Sequence, residues 1–154
     1  MRKFVVLFIV LFTVAVVSSC QNNRYFAHVN RLWNDYDMLF VQIVVPSLEI
    51  DDADEFLAYF ASEEIVRKVE QAVSILEEIH TLIVEHNLEI ARPSIQTMRR
   101  LTNLTTLKER LKTEEIEMRD RIVNGIRGYK DRLRNDVERK ERNIEIYYEF
   151  WGDR

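Results

Sequence analysis

Glycine and proline are scarce: three of one and two of the other in 154 residues. Hairpin-rich β architecture needs turn residues about every 8–12 positions, so the scarcity excludes it and leaves long helices. A single cysteine, Cys20, excludes a disulfide within the chain, and stability must come from packing. No serine or threonine stands in a glycine-rich elbow, which argues against a nucleophilic hydrolase. Positive charge is also short, with 22 lysines and arginines against 26 aspartates and glutamates. That balance makes nucleic acid a poor partner.

One unbroken greasy run is present, at the very start. Arg2 and Lys3 precede an apolar stretch from Phe4 to Val17 interrupted only by Thr13, and small residues lead to Cys20. A positive start, a short apolar middle and a small-residue end are the parts of a secretory signal peptide. The run is short for a membrane span, which needs about 20 apolar residues. Val17-Ser18-Ser19-Cys20 resembles the lipobox of bacterial lipoproteins: an aliphatic residue, two small ones and the cysteine. The resemblance implies a processing route: diacylation of the Cys20 sulfur, cleavage before it, and acylation of the new amine. Two or three acyl chains hold a protein to a bilayer stably where one does so marginally, at about 0.8 kcal/mol per buried methylene. Gln21, where an aspartate would retain an enteric-type lipoprotein on the inner membrane, favours the outer membrane if the host has two.

The expected organisation is a signal peptide at 1–19, a lipidated start and short tether at 20–23, and one helical domain at 24–154. Cleavage removes Arg2 and Lys3 and no acid, which moves the formal net charge from −4 to −6. Apolar residues from Tyr25 to Val45 recur at three-four spacing, and Pro46 should close that helix. Asp51, Asp52, Asp54 and Glu55 lack the central glycine and closing glutamate of a calcium loop, and read as an acidic helix start that complements the macrodipole. Ser62 can start the next helix or mark a kink, and Asn87, followed by Pro93, should end it.

Beyond Pro93 an apolar stripe runs to Trp151. From Ile122 onward it approximates heptads, with Lys140 as a skipped position. Asn124-Gly125 and Gly128 are the expected place for a bend. The fold class is therefore all-α: an elongated helical bundle or coiled-coil hairpin of three to four helices.

Glu77-Glu78-Ile79-His80 holds a Glu-x-x-His spacing of the kind that binds metal in di-iron bundles. Those bundles use two such motifs. Here His28 and His86 have no glutamate three residues before them, so a solvated face is expected and no metal or other cofactor. Gly125-Ile126-Arg127-Gly128 matches an RNA-clamping GXXG loop in letters only, since its flanks are helical.

The function expected is a non-catalytic structural or adaptor role in the cell envelope. The membrane is engaged through lipidated Cys20, and helical surface is presented to a protein partner. A carrier or sensor enclosing a lipid or other apolar ligand is the alternative. The aromatic cluster Tyr147, Tyr148, Phe150 and Trp151 is expected at a membrane-distal tip, available to that partner.

Overall fold

The computed structural model describes the backbone of residues 2–90, 95–112, 114 and 116–151, and side chains from residue 24 onward except 95–98, 116, 118 and 119. The molecule is all-helical among these residues. Five helices, not three or four, follow one another: α1 (Arg2–Leu48), α2 (Ala53–Phe60), α3 (Glu63–Glu85), α4 (Ile95–Leu111) and α5 (Ile116–Trp151). Two of the divisions, at 61–62 and after Leu111, are ones that the apolar periodicity alone does not show.

The helix starts behave as their chemistry demands. Asp52 caps α2, its Oδ1 accepting from the Glu55 amide at 2.8 Å, and Asp54 and Glu55 fill the first turn. Ser62 is the residue before α3 and has extended backbone, but its hydroxyl donates backward to the Tyr59 carbonyl at 2.7 Å. The α3 terminus is a Schellman turn. Asn87 takes φ 47°, the Leu88 amide donates to the Ile83 carbonyl and the Asn87 amide to Val84. Pro93 lies outside the described residues.

Pro46 does not close α1, which continues through it to Leu48. The proline removes one donor, in the last turn, where the carbonyls find other partners. Ser47 Oγ donates to Val44, Tyr59 Oη to Ile43 and Lys130 Nζ to Ile50, at 2.6–2.7 Å.

α1 is the central element, packed on α3 along one side and on α5 along another. Its predicted stripe is the heart of the core: Val29, Leu32, Tyr36, Leu39, Phe40, Ile43 and Val44 are all buried. α2 closes one end with Phe56, Leu57 and Phe60, and α4 lies against α2 and α3. Both long neighbours run antiparallel to α1. His28 meets Glu78 on α3, while on α5 Lys130 meets Ile50 and Lys140 meets Asp37.

α5 is a single 36-residue helix that runs unbroken through Asn124, Gly125 and Gly128. Its buried positions are Ile126, Lys130, Leu133, Val137 and Lys140, a continuous four-three seam against α1. That packing outweighs the roughly 1 kcal/mol that each mid-helix glycine costs. Because α5 starts near the α2 end, its C-terminus returns to the Tyr25–Trp33 end of α1. The aromatic cluster therefore does not occupy the far tip.

Candidate functional site

Where α5 returns, the polar residues on its seam face polar residues on α1. Lys140 is 6 % exposed and Asp37 4 %, and their side chains meet at 2.5 Å. The ammonium also lies over the rings of Tyr36 and Phe40, 4.2 and 4.9 Å from the centroids. Asn143 Nδ2 donates to the second Asp37 oxygen at 3.0 Å. Burial holds the Lys140 pKa below the ordinary lysine value, against the opposing pull of the Asp37 charge. Burial likewise raises the Tyr36 phenol, with the Asp37 charge adding to it.

This pair floors a groove of ≈ 430 Å³ between α1 and α5, which Leu76 of α3 also borders. Trp33, Tyr147 and Trp151 supply its aromatic wall, and Asn30, Asn34 and Arg139 its remaining polar groups. Asn34 is buried, and its Oδ1 has no hydrogen-bond partner among the described groups. A second groove, ≈ 890 Å³, lies on the other side of Tyr147 and Trp151, against Arg24, Tyr25, Ala27, His28 and Arg31. The two share the aromatic pair as a common ridge.

Sequence reasoning passes over these residues. Lys140 reads as a skipped heptad position, yet it occupies that position with its charge paired. The signal that finds the site is a charge standing at a core-spaced position on each of two helices.

The Glu-x-x-His motif points elsewhere. Glu77 and His80 are exposed on α3, and Glu78 meets His28 of α1 at 3.2 Å. Among the described residues no three His, Cys, Asp or Glu side chains gather as a metal site. Gly125 and Gly128 lie within α5, so the GXXG letters form no loop. Cys20 has its backbone in α1, and its side chain lies outside the described residues. No described helix is long and apolar enough to cross a membrane. No protein-family model matches the chain, and neither does any curated protein or solved structure.

Proposed function

We propose that the chain is a lipid-anchored protein of the bacterial cell envelope, attached through Cys20 and non-catalytic, which presents helical surface to a protein partner. One observation carries this reading: among the described residues, every exposed large apolar side chain except Val45 stands at a single end of the bundle. Phe26 on α1, Val84 on α3, and Ile146, Tyr148, Phe150 and Trp151 on α5 all stand at the end from which α1 leads back to Cys20. Apolar surface gathered in one place on a soluble body marks a contact site.

The bilayer is the rival for that surface, and the distance along α1 supports the protein partner instead. Trp151 lies level with about Val29, since it borders both Arg24–Arg31 and Asn30–Trp33. From Cys20 to that level an upright α1 rises about 14 Å at ~1.5 Å per residue. The headgroup layer is only about 5–8 Å deep on each side. The rings thus stand just outside the membrane, within reach of a neighbouring envelope protein.

An enclosed apolar ligand is the weaker reading. Phe40, Phe56, Phe60, Ile43 and Leu57 close over one another in the core, and the open groove has Asp37, Lys140 and Asn34 in its wall.

Radiolabelled fatty acid tests the anchor: the native chain should incorporate it and Cys20→Ala should not. Labelling and lipoprotein-type cleavage that persist in the variant overturn the reading. A photo-crosslinker at Phe150 should give a discrete adduct in intact envelopes, whereas one at exposed Arg121 should not.

A further inference from the structure

The groove over the Asp37–Lys140 pair has a chemistry more specific than a contact patch. Its floor carries two opposite charges that neutralise each other. Asp37 has both oxygens engaged, by Lys140 and Asn143. Arg139, the remaining cation in the wall, donates to Asp136 at 2.8 Å. A charged group would find no unpaired counter-charge over this floor, so the unit seated on it is neutral.

It must also carry hydrogen-bond donors. Asn143 gives one amide N–H to Asp37 and keeps its amide oxygen to accept from a ligand hydroxyl. The Asn34 side chain borders the same groove, with its unpaired Oδ1 turned into the protein. Donors are present in the same lining, in the Asn30 amide and the spare N–H groups of Arg139. The ligand therefore both donates and accepts at several points, as a polyol does and an acyl chain does not.

Aromatic faces complete the set. Tyr147 and Trp151 flank the polar floor and form the ridge shared with the second groove. A pyranose ring has this dual character: an apolar C–H face for an aromatic ring and a rim of hydroxyls for amides. Small-ligand sites combine aromatic walls and a few placed polar groups in this way, and ≈ 430 Å³ lies within their range. Continuation across the ridge, toward Arg24 and His28, allows more than one sugar unit.

We propose that this groove binds a neutral pyranose oligosaccharide, its rings on Tyr147 and Trp151 and its hydroxyls on Asn30 and Asn143. The site lies within the folded body and depends on neither the lipid anchor nor a protein partner.

The test uses the full chain in a detergent without a sugar headgroup, titrated calorimetrically with N-acetylglucosamine tetramer and, separately, α-1,4-glucose tetramer. Saturable binding of at least one is expected. Asn30→Ala and Trp151→Ala should each weaken it about tenfold, as loss of one good contact does, with the helix content by circular dichroism unchanged. Gly125→Ala, on a distant stretch of α5, should leave it untouched. No saturable heat with either tetramer overturns the proposal, as does binding that survives Asn30→Ala and Trp151→Ala combined. Because fatty-acid labelling is not read in this experiment, its failure and failure of the anchor are distinguishable.

Discussion

At the scale of the residue, the Asp37–Lys140 pair carries the largest stakes. Two ions are taken out of water, and the contact offsets that cost only while both are present. Lys140→Met alone should cost about 3–5 kcal/mol, because Asp37 is left charged and buried. Asp37→Leu together with Lys140→Met should come within about 1–2 kcal/mol of the native chain, since packing replaces the pair. Urea unfolding of the native chain and the two variants reads this directly; equal losses in the single and double variants would contradict it.

Buried phenols set the alkaline limit in the same way. Burial pushes Tyr59 and Tyr129 up to about 12 and Tyr36 further, with the Glu64 charge adding at Tyr59. Their folded pKa values exceed the unfolded value of about 10, so the native state holds its phenolic protons longer. The stability they contribute is complete below pH 10 and is lost as pH rises through about 12. Phenolate absorbance from these three should appear late and together with helix loss by circular dichroism. Replacing all three with phenylalanine should remove that late phase.

At the scale of the element, α5 shows how packing overrides a local signal. Gly125 and Gly128 look like a hinge in the sequence, but the structure leaves open space where a Cβ would stand at each, with neither at positive φ. The glycines are thus needed neither for a turn nor for a close approach. Gly125→Ala and Gly128→Ala should each stabilise the protein by about 0.5–1 kcal/mol, additive in thermal unfolding. Destabilisation by either would mean that α5 does bend there in solution. Pro46 teaches the same lesson from the other side. It stands near the end of α1, where Ser47 and Tyr59 supply hydrogen bonds to carbonyls of the last turns, and Lys130 bonds Ile50 just past the helix.

For the whole molecule, topology decides where function can sit. Antiparallel return of α5 brings Trp151 to within about 14 Å of the level of Cys20 along α1, far from the opposite end. With Trp33→Phe leaving Trp151 as the sole tryptophan, the lipidated protein in vesicles should be quenched strongly by aqueous iodide and weakly by bilayer-embedded bromolipid. Strong bromolipid quenching would show instead that the body leans onto the membrane and rests on its aromatic cluster.

What the sequence determined by itself was everything that depends on neighbours along the chain. The scarcity of glycine and proline dictated helices, the three-four stripe from Val29 to Val44 dictated which face of α1 is buried, and Asp52 and Asn87 marked a start and an end. These are local rules, legible because a helix relates a residue chiefly to those three and four positions away. Only the tertiary structure could decide that Lys140 is a core residue, for its partner stands 103 positions away on a helix running the other way. The groove was hidden for the same reason: Asn34 and Asn143 are unremarkable in their own helices and become a site when the two are laid side by side.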